Sequence, residues 1–215
     1  MDTVRIGSVT YHDATLSHEY TTETISSIQD LHKDLRLVIF WGGEDLNPWF
    51  YGEPNTRSYC DTYISNRDAT EWAIASQCAE MEIPMLGICR GAQLLCANAG
   101  GKLWQHVDNH AYGSRESHKI LTKDGDLLMV NSAHHQMMRP PDHAIVLANS
   151  HVVRSPVKYD GEGRKETNEP EAEIVYFPST NALSVQPHPE WLPFECDLRH
   201  YLRKLTKDYF DVSIG

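Results

Sequence analysis

No apolar run in this chain approaches the roughly 20 residues that a membrane-spanning helix needs. The opening residues, Met1-Asp2-Thr3-Val4-Arg5, do not have the shape of a signal peptide. Positive charge is also scarce. Nineteen basic residues against 30 acidic ones leave a formal charge of −11, so there is no excess of the basic surface that nucleic acid or an anionic membrane requires. The five cysteines are an odd set without a Cys-x-x-Cys pair, which fits a reducing compartment better than a disulfide framework. Internal repeats are missing, and no linker separates a second domain. These absences lead to the expectation of one cytoplasmic domain over residues 1–215, with neither nucleic acid nor membrane as partner. They leave the oligomeric state open.

The chain does have enough apolar residues, 40% of the total, to bury a substantial core. Its most informative stretch runs from Ile83 to Gly101. The apolar residues Ile83, Met85, Leu86 and Ile88 lead through Gly87 to Cys89 and Gly91, and the helix formers Ala92 to Ala97 follow. That order reads as strand, tight turn and helix, with a cysteine at the turn. A thiol there sits at the positive end of a helix, which favours its nucleophilic thiolate form. Small neighbours suit a strained elbow where backbones approach closely. A plainer reading is a buried cysteine in an ordinary strand-to-helix turn.

Ser184 to Trp191 reads Ser-Val-Gln-Pro-His-Pro-Glu-Trp. Residues two apart in an extended segment share a face, so Glu190 can orient His188. A carboxylate-held imidazole beside a thiol is the arrangement that activates a cysteine nucleophile. Taken alone, His188 would pass for a strand-end histidine.

Along the chain, a strand is expected at Val4–Thr10, then a polar helix with Ile25, Ile28 and Leu31 at helical spacing. A buried strand at Leu35–Phe40 follows, and a loop from Gly42-Gly43 through Arg57. A helix over roughly Asp61–Met81 precedes the Cys89 strand. Alternating strands and helices predict an α/β fold: a doubly wound, mostly parallel sheet flanked by helices, in the three-layer flavodoxin-like manner. Beyond Gly101 come short β-like runs at 102–107, 118–121, 127–130, 144–147, 152–157, 173–177 and 183–186. The polar segment from Ser155 to Ala172 reads as a surface loop or hairpin, with a lid or docking element as the alternative. A closing helix carries Leu198, Tyr201, Leu202, Leu205 and Tyr209 on one face.

Gly-Ile-Cys-Arg-Gly-Ala-Gln at 87–93 and Gln-Pro-His-Pro-Glu at 186–190 resemble the nucleophile and His–Glu motifs of class I glutamine amidotransferases. Trp-Gly-Gly-Glu-Asp-Leu-Asn-Pro at 41–48 and Val-Asn-Ser-Ala-His-His-Gln at 130–136 resemble the γ-glutamyl hydrolase (peptidase C26-like) branch of that superfamily. The resemblance runs from about residue 38 to the last helix. It implies a cysteine-dependent amidohydrolase with Cys89, His188 and Glu190 as catalytic residues and a γ-glutamyl thioester intermediate. Backbone N–H groups of Arg90 and the Gly42-Gly43 turn would form the oxyanion hole. It further implies that Gln93, one helical turn after Cys89, contacts the glutamyl group. Ser132, His134, His135 and Gln136 would hold its α-amino and α-carboxylate ends, by side chain or by backbone. Pro187 departs from the bulkier residue usual in the family and restricts Gln186, so a differently shaped strand end is expected.

Twelve histidines raise the question of a metal, with His134-His135 adjacent and His106, His110 and His118 nearby. No spacing among them matches a ligand set, and adjacent residues of an extended run face opposite ways. No metal or cofactor is therefore expected. Cys60, Cys78, Cys96 and Cys196 read as packing residues.

Three functions compete. The first is a glutaminase supplying ammonia to a synthetase or ligase on another chain, with glutamine as substrate. The second is a free-standing hydrolase of a γ-glutamyl amide whose amine is larger, peptidic or nucleotide-linked. The third, a catalytically silent binding module on the same fold, is disfavoured by the intact Cys89, His188 and Glu190.

Overall fold

Leu35–Phe40 alternates as a strand buried on both faces must: Val38 and Phe40 turn to one apolar layer, Leu37 and Ile39 to the other. The computed structural model describes residues 5–9, 21–111 and 117–214. In chain order its first half comprises β1 (Arg5–Val9), β2 (Thr21–Ile25), β3 (Leu35–Phe40), helix α1 (Asn66–Glu80), β4 (Met85–Ile88) and helix α2 (Arg90–Asn98). Short strands follow: β5 (Lys102–Trp104), β6 (His106–Val107), β7 (Ser117–Thr122), β8 (Leu127–Asn131), β9 (Met137–Arg139) and β10 (Ile145–Ser150). The chain ends with β11 (Val157–Asp160), β12 (Gly163–Glu166), β13 (Ala172–Phe177), β14 (Ala182–Val185) and helix α3 (Asp197–Phe210).

Nine strands form the central sheet in the order β2-β1-β3-β4-β14-β13-β10-β7-β8. Neighbours run parallel from β2 to β14. Antiparallel pairing takes over from β14 to β8. Helices α1 and α2 cover one face, where Ile74, Cys78, Leu94 and Leu95 meet Val38, Phe40 and Met85. Helix α3 covers the other, packing Leu198, Tyr201, Leu202 and Leu205 against Leu37, Ile39, Leu86 and Ile88. The three-layer α/β arrangement expected from the sequence is present, with the added β elements in the C-terminal half. Strands β3, β4 and β14 lie side by side, so the Gly42-Gly43 turn, Cys89 and His188 emerge at one edge of the sheet. Among the described residues, no helix is long and apolar enough to cross a membrane.

Three local expectations change. In place of a polar helix carrying Ile25, Ile28 and Leu31, Thr21–Ile25 is a strand parallel to β1, and only one 3-10 turn follows at Ile28–Asp30. The run Thr-Thr-Glu-Thr-Ile is rich in β-branched residues, which favour a strand, and it buries Ile25. Val4, Thr10 and residues 11–20 lie outside the described residues. The helix expected from Asp61 starts only at Asn66, because Ser65 caps it: its Oγ accepts the Asp68 N–H at 3.0 Å. Residues 152–156 do not join a ladder. The Glu171 carboxylate takes the N–H groups of Arg154 and Ser155 at 2.9 and 2.8 Å, and the strand begins at Val157. The polar 155–172 segment is a hairpin, β11 and β12, whose inner strand pairs with β6 and buries Lys158.

Candidate active site

Cys89 connects β4 to α2 with φ of +52° and ψ of −108°, a conformation that side chains rarely adopt. Such strain persists only where the surroundings impose it. Here they do: a Cβ on Gly87 would lie 2.5 Å from the Gly91 carbonyl oxygen and 2.6 Å from the Ala92 nitrogen. Gly87 therefore lets β4 and α2 close tightly around the thiol, and Gly91 lets α2 lie against the Phe40 backbone of β3. Arg90, as the first residue of α2, has a backbone N–H without an intrahelical acceptor, directed out of the helix start beside the thiol.

His188 follows β14 and is buried. Its Nδ1–H donates to Glu190 Oε1 at 2.6 Å across the one-turn 3-10 segment Pro189–Trp191. Burial alone would push the imidazole down, but hydrogen bonds with Cys89 and Glu190 outweigh it and hold His188 at about 10. The ring keeps its proton through neutral pH. Trp191 stacks on it, with centroids 3.7 Å apart and planes within 1°, a contact that also favours the charged ring. Strand β14 stops at Val185, before Pro187, and Asn131 takes over the backbone of the next segment. Its Oδ1 accepts the His188 N–H at 2.8 Å and its Nδ2 donates to the His188 carbonyl at 2.7 Å. Glu190 reaches His188 with Pro187 in place.

The Gly42-Gly43 turn leaves β3 beside them. A Cβ on Gly42 would come within 2.7 Å of His188 Cε1 and 3.5 Å of Cys89 Cβ, so only glycine fits that close to the imidazole and the cysteine. Arg67 holds this turn: NH2 donates to the Gly42 carbonyl at 2.9 Å, NH1 to Glu44 at 3.1 Å and Nε to Glu71 at 2.8 Å. Glu71 and Asp68 in turn grip the buried guanidinium of Arg90. A continuous ion-pair chain thus ties the start of α2 through α1 to the turn. Nothing local in the sequence marks Asp68 and Glu71 as partners of the Arg90 side chain, or Arg67 as the next link through Glu71.

Gln93 lies on α2, as expected, with Nε2 donating to the Gln136 carbonyl at 2.9 Å. Gln136 in turn grips Leu46 at both ends, accepting its N–H at 2.9 Å and donating to its carbonyl at 3.1 Å. His135 points outward to Asp45 at 3.0 Å. Ser132 and His134 point inward: Ser132 Oγ donates to the His110 carbonyl at 3.0 Å, and His134 Nδ1 to the Gln136 carbonyl at 2.9 Å. Ser132, His134 and Gln136 thus commit their side chains to the protein itself.

The remaining cysteines are free thiols. Burial pushes the Cys78 thiol up to about 12 and raises that of Cys96 further, and both pack in the α1–α2 layer. The histidines yield more than their spacing suggests. His110, His134 and Glu173 bring ligand atoms within 4.8 Å of one another, the one such group among the described residues. Its members come from three separate segments, which is why no local spacing announces it.

A cysteine at a strained strand-to-helix elbow, a His–Glu pair after the neighbouring strand and an α/β sheet define the class I glutamine amidotransferase-like superfamily. The chain belongs to the Peptidase C26 family, whose model matches residues 19–190. It is similar to a candidate glutamine amidotransferase of Schizosaccharomyces pombe, 34% identical over 119 residues that cover 46% of each chain. A γ-glutamyl-CDP-amidate hydrolase of Campylobacter jejuni is 43% identical over 61 residues, 28% of this chain and 26% of that one. This chain therefore spans about half the length of the first relative and about a quarter of the second. In fold it is similar to a glutamine amidotransferase from Thermotoga maritima, with a TM-score of 0.59 at 14% identity, covering 98% of this chain and 84% of that one.

Proposed function

We propose that the protein hydrolyses a γ-glutamyl side-chain amide through a thioester on Cys89. The observation that carries this reading is the buried His188, held by Glu190 at 2.6 Å and set with the elbow cysteine around the same Gly42 backbone. The Cys89 sulfur attacks the amide carbon, and the oxyanion is met by the Arg90 N–H and the Gly42-Gly43 turn. His188 gives its proton to the leaving amine, and the amine departs as the thioester forms. His188 then takes a proton from water, which attacks the thioester and releases glutamate and the free thiol. Glu190 orients the ring, and Asn131 fixes its backbone. Gln93 and the backbone of 132–136 receive the glutamyl group.

The leaving amine divides two readings. Ammonia, passed from glutamine to a synthetase or ligase on another chain, is favoured by the amidotransferase-like relative. A larger amine is favoured by the hydrolase relative and by a cavity of about 360 Å³ beside the Gly42-Gly43 turn, bordered by Glu44, Asp45, Tyr59 and Tyr63. Turnover on glutamine against a panel of γ-glutamyl amides, with and without candidate synthetases, separates them. Activation on glutamine by a synthetase supports the first, and partner-independent preference for a bulky amide the second. No turnover on any γ-glutamyl amide contradicts the proposal.

Glu190→Gln removes one of the contacts that raise His188. Its hydrolysis is expected to fall by roughly 10²–10⁴-fold. The alkaline limb of its pH–rate profile should move below the wild-type value, set by a ring that holds its proton to about pH 10. An unmoved limb would detach Glu190 from the protonation of His188.

A further inference from the structure

Behind the Ser132–Gln136 segment lie three imidazoles and two carboxylates, His110, His118, His134, Glu171 and Glu173, none more than 6% exposed. Their hydrogen bonds decide which atoms carry protons. His134 Nδ1 faces the Gln136 carbonyl at 2.9 Å, so it carries the N–H and Nε2 presents its lone pair. His110 Nε2 faces Glu171 Oε2 at 3.3 Å, so it carries the N–H and Nδ1 presents its lone pair, 3.9 Å from Glu173 Oε1. Ser132 Oγ lies 3.2 Å from His110 Nδ1 and 3.4 Å from His134 Nε2, but its one proton has a third claimant, the His110 carbonyl at 3.0 Å.

Electron-rich atoms thus converge on one another in a dry place. The single buried lysine nearby, Lys158, is directed to Glu171 at 3.7 Å and the Glu169 carbonyl at 2.8 Å. Among the described residues, Glu173 has only His110 and His118 as ion-pair partners, and its Oε2 has no hydrogen-bond partner. A buried carboxylate oxygen left without a partner is costly.

We propose that His110 Nδ1, His134 Nε2 and Glu173 Oε1 bind a divalent first-row metal ion. His118 Nε2 faces the same Glu173 oxygen at 2.8 Å, so it carries the N–H and steadies the ligating carboxylate from outside. Nitrogen and carboxylate donors of this kind suit zinc, and three protein donors leave a fourth position for water. Tetrahedral zinc sets its donors about 3.4 Å apart, so ligand atoms now within 4.8 Å of one another need to draw in by about 1 Å. The outer contacts are those of ligating histidines: Glu171 holds the far nitrogen of His110, and the Gln136 carbonyl that of His134. The ion would join β13 to the 131–136 segment, whose Asn131 holds the His188 backbone.

The test uses untagged protein passed over a weak chelator, then elemental analysis and chelator-competition titration with Zn²⁺. About one zinc per chain is expected. Stripping it should lower Tm, and adding Zn²⁺ back should restore it. Cys89 is a competing zinc ligand, so Cys89→Ser is run in parallel and should retain the zinc. Glu173→Gln and His110→Asn should lose it, and Glu171→Gln should weaken binding by roughly 10–100-fold. Cobalt-substituted wild-type protein gives a reading that requires no variant to fold: tetrahedral visible bands without thiolate charge transfer. Absence of retained zinc, a thiolate band, or binding that survives His110→Asn but not Cys89→Ser would each overturn the proposal.

Discussion

Replacing Cys89 with alanine is expected to lower amide hydrolysis by roughly 10⁴–10⁶-fold, the scale seen when a covalent nucleophile is removed. The fold should survive, because alanine keeps the Cβ that the elbow already accommodates. Cys89→Gly sharpens the point. Glycine tolerates φ of +52°, so this variant should be equally inactive yet more stable by about 1 kcal/mol, read by urea unfolding. Such a pairing of lost activity with gained stability is expected where a strained residue is retained for chemistry. A Cys89→Gly protein that is markedly less stable would mean that the thiol serves packing.

Arg90→Met is expected to give the largest loss of stability, about 3–5 kcal/mol. The guanidinium is 1% exposed, and its two carboxylate partners are almost equally buried. Removing it leaves Asp68 without its cation and Glu71 with Arg67. For a domain of this size the expected fall in Tm is roughly 6–20 °C. Replacing Asp68 and Glu71 by apolar residues in the Arg90→Met background should recover much of that stability, since well-packed apolar groups often match a buried ion pair. Activity should not recover with it, because Arg67 would lose Glu71 and with it part of its hold on the Gly42 carbonyl. Equal recovery of both would separate the ion-pair chain from the turn.

What could be read from the sequence was local. Gly87-x-Cys89-x-Gly91 spans one strand-to-helix turn, and His188 and Glu190 are two residues apart, so both motifs carry their geometry within a few bonds. Asn131 falls within the 130–136 motif, but its role was not legible there, because its grip on His188 reaches across 57 residues and an asparagine at a strand end has many other uses. Trp191 stood next to the motif, but nothing in its spacing disclosed a ring stacked on the imidazole. The Arg90 side chain was invisible for the same reason as the histidine cluster: its partners belong to another element, brought near only by packing. Strand β2 was misread because Ile25, Ile28 and Leu31 match a helical period by position while Thr21, Thr22 and Thr24 favour an extended backbone. Over so short a segment, pairing with β1 decides. At residues 152–156, a side chain sixteen or more residues away, Glu171, took the N–H groups that an apolar pattern assigned to a strand.

The central claim is that Cys89 is a nucleophile aimed at a bound γ-glutamyl group. It is tested most directly by brief treatment with a glutamine analogue carrying an electrophile in place of the side-chain amide, followed by peptide mapping. Cys78 and Cys96 are buried thiols held well above the usual range, so neither should compete at neutral pH. Binding at Gln93 and the 132–136 backbone would set the electrophile against the Cys89 sulfur. The account predicts rapid modification of Cys89 alone, slowed by excess glutamine or by a γ-glutamyl amide. Slow labelling spread over Cys60 and Cys196, indifferent to glutamyl compounds, would contradict it.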